Sequence, residues 1–130
     1  MMLDTTFLID LMKGKKFAVE KMQMLSTSGA PVTISTVSIF ELFSGLSQCS
    51  KPALEYYKIH NVLHQQSCWP LDDSAAERAG RIHGELVKRG EAIEAIDAMI
   101  AGIALAHNEP ILTRNIKHFS RIDGLKVESY

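Results

Sequence analysis

The stretch "AIDAMIAGIALAHNEPILTRN", residues 95–115, decides the fold. Ile96, Ile100 and Ile103 recur at helical spacing, and Ile93 extends the stripe backward. The other flank is mostly Ala, Gly and Leu105, so this helix is apolar nearly all round and is expected to be buried. Residues 95–107 carry one acid, Asp97. An ionised carboxylate there is costly unless it is paired or bound to a metal, although an Asp in a first turn also suits the helix dipole. The apolar run "EPILT" (109–113) follows at once and reads as a buried strand. A buried helix feeding a buried strand is the unit of a parallel sheet covered by helices.

Working outward, the same alternation recurs. "MMLD" is a short apolar run ending in an acid, and "TTFLIDLMKG" reads as a helix with a Thr cap and a stop at Gly14. A Lys/Met-rich helix spans about 15–27, and "VTIS" is a β-branched strand. Residues 36–48 look helical, and Pro52 opens another helix to about Gln66. "SCWPL" is a third strand. "DDSAAERAGRIHGELVKRG" begins acidic and ends basic before Gly90, as the helix dipole favours. "EPILT" is the fourth strand, "RNIKHF" one or two helical turns, and "GLKVESY" a last strand. The chain thus reads as α/β, with about five parallel strands and helices between them. In such sheets ligands gather at the carboxyl ends of the strands, where strand order reverses.

The totals set limits. At 130 residues, 46% hydrophobic and 22% charged, residues 1–130 are expected to form one domain with its own core. No apolar run approaches the roughly 18 residues of a membrane span. The N-terminal charges follow the apolar part, opposite to a secretory signal, so a cytoplasmic protein is expected. Cys49 and Cys68 show no metal-binding spacing and read as free thiols. His60 and His64 stand four apart without an HExxH pattern and read as exposed helix residues. A formal net charge of −1 argues against a general nucleic-acid coat. A nuclease remains open, because carboxylates that hold a divalent metal are locally neutralised.

Three acids fall at telling places. Asp4 ends the first strand, where Asp is also a favoured helix cap; a cap at a strand's carboxyl end faces the crevice as well. Glu41, in "STVSIFELFSG", points away from the Ile39/Phe43/Leu46 stripe. Val37, Phe40 and Leu42 leave little polar surface around it. Asp97 lies at the edge of its apolar stripe. Asn115 is placed near the same sheet edge as Asp4, or as a cap of "IKHF", with Thr113 and Arg114 beside it. Arg114, Lys117 and Arg121 follow the fourth strand as candidate phosphate contacts.

"MLDTTFLIDLMKG", "STVSIFELFSG" and "AIDAMIAGIALAHNEPILTRNIKHFSRIDGLKVESY" resemble successive signature segments of PIN-domain ribonucleases, and most of all the VapC-type toxins of toxin–antitoxin pairs. The resemblance spans essentially the whole chain. It implies a three-layer α/β/α domain whose crevice groups acids around Mg²⁺ or Mn²⁺ to cleave RNA. Carried over by residue, the metal-binding and catalytic acids are Asp4, Glu41 and Asp97. The fourth catalytic position, often Asp in the family, is Asn115 here, which can ligate a metal or orient a water through its carbonyl but adds no charge for a second metal. Thr6 matches a small hydroxyl position beside the metal, with Thr113, Arg114 and Lys117 in supporting or RNA-contacting places. Asp10 and Glu94 are expected to be peripheral.

One metal on Asp4 and Asp97 would lower the pKa of a bound water and polarise the scissile phosphate. Glu41 would complete the shell or accept the water's proton. By resemblance the products carry 5′-phosphate and 3′-hydroxyl ends. The implied partners are RNA, a VapB-like antitoxin and a second copy in a homodimer, with exposed apolar positions at 15–27 and 51–66 as contact surfaces. Two other readings compete. One is a PIN-like domain that binds RNA or protein without cutting. The other is a phosphoacceptor receiver domain built on Asp73 and Thr113; it lacks the second acid beside Asp4 and a Lys after the last strand, and leaves Asp97 unexplained.

Overall fold

The computed structural model describes residues 1–64 and 66–130. Five short strands form one parallel sheet: β1 (Met2–Leu3), β2 (Thr33–Ser35), β3 (Ser67–Trp69), β4 (Ile111–Leu112) and β5 (Val127–Glu128). Their order is β3-β2-β1-β4-β5. The chain winds outward in one direction from β1 through β3 and in the other from β4 through β5. The reversal lies between β1 and β4, where Met2 pairs Ile111 and Leu3 pairs Leu112. Asp4 leaves β1 and Thr113 leaves β4 at this point, at the sheet's carboxyl edge.

Strand side chains alternate between faces, and this alternation builds two cores. Met2 and Ile111 face α5 (Asp73–Lys88), α6 (Ala95–Ala106) and α7 (Ile116–Phe119). Leu3, Ile34 and Leu112 face α1 (Thr5–Met12), α2 (Lys16–Ser28) and α4 (Pro52–Leu63). Helix α3 (Thr36–Ser44) sends Val37 to the first core and Leu42 to the second. The three-layer α/β/α expectation therefore holds, including the burial of α6, whose residues Ile100–Ala104 are all buried.

Boundaries differ locally. The run expected to be helical to residue 48 tightens into a 3-10 turn at Gly45–Gln48. Helix α4 ends at Leu63, short of the expected Gln66, and residue 65 lies outside the described residues. The first helix is not capped by Thr. Asp4 holds the N-cap position and Thr5 is the first helical residue.

Helix α6 lies close against α5. A Cβ placed on Gly102 would stand 2.6 Å from the Ala75 carbonyl oxygen and 2.9 Å from Ala79 Cβ, so only glycine fits this approach without movement. Helix α3, which carries Glu41, is capped by Ser35, whose Oγ accepts from Ser38 N at 2.9 Å. Ser35→Ala should cost about 1 kcal/mol and lower the melting temperature by roughly 3–5 °C. An unchanged thermal melt would show that the cap contributes nothing.

Candidate active site

Helix starts at the carboxyl edge of the sheet supply most of the site, and the caps explain why. Ser35 and Asp72 bond their own helix N–H groups through their side chains. Asp4, Glu94 and Asn115 occupy the cap positions of α1, α6 and α7 without a side-chain cap bond. Their side chains are left available to the cleft. Asp4 thus stands at the cap position without making the cap bond that position allowed.

Asp4 is only 2% exposed. Its Oδ2 accepts from the Thr6 hydroxyl at 2.8 Å and from the Thr113 hydroxyl at 2.7 Å. Two hydroxyls from opposite sides of the strand-order reversal thus fix the carboxylate plane. Oδ1 has no hydrogen-bond partner among the described residues. The Thr6 and Thr113 oxygens lie 3.2 Å apart, and both also accept backbone N–H groups: Arg114 N reaches Thr6 and Asn115 N reaches Thr113. The loop after β4 is thereby tied to α1.

Glu41 is half-buried rather than solvent-facing. The Thr5 hydroxyl donates to Glu41 Oε1 at 2.6 Å. Thr5 Oγ1 also lies 3.0 Å from Ser38 Oγ, which Ser35 Oγ reaches at 3.0 Å. This buried hydroxyl chain runs from β2 to the carboxylate and holds it in place. Asp97 projects from the first turn of α6. Its Oδ2 lies 3.4 Å from Asn115 Nδ2 and 3.4 Å from His118 Nδ1.

The acids act on one another. Burial pushes the Glu41 carboxyl above its ordinary value. The Thr5 hydrogen bond pulls it back, and the charges of Asp4, Asp97 and Glu94 push it further up. Burial and then the Asp4 charge raise Asp97 as well, with His118 opposing. Side chains from β1's exit, α3 and α6 therefore converge within Coulomb range of each other. Glu94, expected to be peripheral, acts on both Glu41 and Asp97 and belongs to the rim of this cluster.

Other residues find different places. Arg114 Nη1 pairs with both oxygens of buried Asp10 at 2.9 Å, and the Tyr130 hydroxyl donates to Asp10 Oδ2 at 2.7 Å. Asp10 is thus the anchor of the post-β4 loop. Arg114 is engaged by it rather than standing free. Arg121 Nη1 donates to the carbonyls of Glu91 and Ala92 and braces the turn before α6. Lys117 is exposed. His118 was not singled out in the sequence. Its signal was the i, i+3 spacing from Asn115 at the start of a short helix. Asp73 lies in the first turn of α5, beside the Asp72 cap, and is exposed.

The donor set suits a hard divalent cation. It offers carboxylate oxygens alone, desolvated and mutually repelling, a state that bound Mg²⁺ or Mn²⁺ would relieve. Among the described residues no three His, Cys, Asp or Glu side chains form a ready-made cage, so the carboxylates would have to draw in on the ion.

The PIN-domain family profile matches residues 1–125. The tRNA(fMet)-specific endonuclease VapC of Shigella flexneri is 30% identical over 129 residues, spanning 99% of this chain and 96% of that protein. Among solved structures, VapBC2 of Rickettsia felis bound to a promoter DNA fragment matches with a TM-score of 0.90 and 26% identity, covering 99% of this chain and 97% of that one. DNA-bound VapBC of Salmonella typhimurium matches with a TM-score of 0.88 and 27% identity, covering 98% and 96%. A carboxylate cluster at the strand-order reversal, in a chain alike from end to end, has one reading: this chain belongs to the PIN-domain family, on its VapC branch.

Proposed function

We propose that the chain is a metal-dependent endoribonuclease toxin that hydrolyses RNA phosphodiester bonds and is neutralised by a VapB-like antitoxin. The observation that carries this is the convergence of Asp4, Glu41 and Asp97, three desolvated carboxylates from three separate segments, at the carboxyl edge where strand order reverses. Burial and neighbouring charge that raise the proton affinity of Glu41 and Asp97 weaken the fold unless a cation is their purpose. The similarity to a tRNA-cleaving VapC supports RNA as substrate, with tRNA as the first class to test. The VapBC neighbours support the antitoxin partner. A homodimer and a cytoplasmic location follow from the same reading.

Asp4, Asp97 and Glu41 would hold Mg²⁺ or Mn²⁺, which when bound lowers the pKa of a ligated water and neutralises charge at the scissile phosphate. The protein's own contribution is positioning. Thr6 and Thr113 fix Asp4 with one oxygen directed away from them. Asn115 donates to Asp97 and orients it, as outer residues do for ligands. Glu41, with raised proton affinity, is suited to take a proton from the attacking water. Asn115 acts here as an orienting group, so a missing fourth acid does not favour the non-cleaving alternative.

The test is cleavage of bulk tRNA and total cellular RNA by purified protein. Activity should require added Mg²⁺ or Mn²⁺, stop with a chelator and return with the metal. Asp4→Asn should remove it while thermal melting shows a folded protein. Equal cleavage by Asp4→Asn and wild type would refute the assignment.

A further inference from the structure

Among the described residues, Asp4 and Asp10 are the most deeply buried acids, at 2% and 5% exposure. Asp4 belongs to the carboxylate cluster. Asp10 stands six residues further along α1, about 9 Å down the helix axis, and its charge is not among those that act on Glu41 or Asp97. Its oxygens are nevertheless engaged. Arg114 Nη1 reaches both at 2.9 Å, and the Tyr130 hydroxyl donates to Oδ2 at 2.7 Å. The Tyr130 ring packs edge-on against Phe7 of the same helix, with centroids 4.7 Å apart. The ion pair is lopsided: the Asp10 side chain is 7% exposed, that of Arg114 61%. A pair so open on one side adds little to stability, and a buried ion pair is often worth no more than apolar residues of its size. What this pair does is join α1 to a loop 104 residues away.

That loop needs holding. Strand pairing ends where Thr113 N donates to the Glu128 carbonyl, and α7 begins only at Ile116. Between them, the Arg114 and Asn115 N–H groups donate to hydroxyls, those of Thr6 and Thr113. Yet the loop touches two acids of the cluster. The Thr113 hydroxyl donates to Asp4 Oδ2 at 2.7 Å, and Asn115 Nδ2 lies 3.4 Å from Asp97 Oδ2. Arg114 is the residue between these two contacts. We infer that Asp10 is a positioning residue: through Arg114 it sets where residues 113–115 lie, and so how Asp4 and Asp97 stand to each other across the cleft. The inference rests on the metal-dependent nuclease reading for its consequence. Arg114 then serves the site from within the fold, through Thr113 and Asn115, and not as a contact to RNA.

Asp10→Asn keeps the shape of the side chain and an oxygen for Tyr130 but gives up the charge that holds Arg114. It should weaken Mn²⁺ binding and lower kcat for tRNA cleavage by roughly ten-fold each, the lower end for groups that orient metal ligands, with KM within about two-fold of wild type. Removing Arg114 alone would leave a buried charge unpaired and endanger the fold. The partner variant is therefore Asp10→Asn/Arg114→Gln, which removes both charges and leaves the net charge unchanged. It should do no more harm than Asp10→Asn, because the two residues act as one unit. Arg114→Lys should keep near wild-type Mn²⁺ affinity, since Arg114 offers Asp10 a single nitrogen and an ammonium can take its place. Wild-type kcat and Mn²⁺ affinity in Asp10→Asn, whatever its melting temperature, would reduce the pair to a brace and overturn the inference. Additive losses in the double variant would do the same. RNA binding, measured on an Asp4→Asn background that keeps the RNA intact, is the remaining check. A salt dependence shallower by about 0.7 in the double variant would make Arg114 a phosphate contact instead; an unchanged slope is expected. The nuclease reading fails separately, if the wild type neither binds Mn²⁺ nor cleaves RNA. A wild type that does both, matched by Asp10→Asn, sinks the positioning role alone.

Discussion

Asp97→Asn is expected to reduce RNA cleavage by ~10³-fold or more, as the loss of several kcal/mol of metal-derived stabilisation implies, and yet to raise the melting temperature of the metal-free protein. The stability half follows from the surroundings of the carboxylate. Burial and the Asp4 charge raise the Asp97 pKa above its ordinary value of 3.8. The folded state therefore binds this proton more tightly than the unfolded chain does. Stability from this group is greatest in acid and falls as pH rises from about the unfolded value through the raised folded value. The amide carries no charge and escapes that fall. The advantage of Asp97→Asn should be absent in acid, grow across this window and be complete at neutral pH. Metal should reverse the ranking. Mg²⁺ or Mn²⁺ at a hundred times its Kd adds about 2.7 kcal/mol to a protein that binds it only when folded, and the variant should gain far less. Thermal melts across pH, with and without metal, check both halves. A variant less stable than wild type at neutral pH without metal would contradict the account. So would equal stabilisation of both proteins by the ion.

The same trade explains which parts of the molecule were legible in the sequence. Strands of only two or three residues are recognisable because apolar pairs such as Met2–Leu3 and Ile111–Leu112 must fill two cores at once. That demand makes them unbroken hydrophobic runs between helices. Asp97 stood out because its helix has no other charge. Asp4 is ambiguous, since the same residue type at the same place caps helices, and only the hydroxyls of Thr6 and Thr113 show where its carboxylate is held. Glu41 was ambiguous because its neighbours on the helical wheel reveal nothing of Thr5, which arrives from another element. The anchor of Arg114 on Asp10 joins residues 104 positions apart and leaves no local pattern. His118 is one histidine among five, and its i, i+3 spacing from Asn115 is too common a pattern to mark it until the ring is seen against Asn115.

Gly102→Leu is expected to be the most damaging single substitution in the scaffold, although the residue touches no part of the cleft. A Cβ at this position already stands 2.6 Å from the Ala75 carbonyl oxygen and 2.9 Å from Ala79 N. Both are backbone atoms of α5, which can yield only if the whole helix moves. For Gly102→Ala two effects oppose. Overpacking strain of about 1–3 kcal/mol is partly offset by the roughly 1 kcal/mol by which Ala exceeds Gly in a helix interior. The net loss is modest. Leu gains no more from propensity and adds three further carbons where there is no space, so its loss should exceed ~3 kcal/mol. That is a large part of the 5–15 kcal/mol that holds a domain together, or ~10 °C or more of melting temperature. The consequence should reach the chemistry. Asp97 lies on the same helix five residues before Gly102, and separating α6 from α5 displaces it. A misplacement of about 1 Å can lower a rate by ~10²-fold. Gly102→Ala, assayed well below its melting temperature, should therefore lose more cleavage than its small stability change explains, with weakened Mn²⁺ binding as the independent sign of a moved Asp97. If Gly102→Leu melts like wild type, the two helices are not in the contact that places the carboxylate, and the proposed link from packing to catalysis is broken.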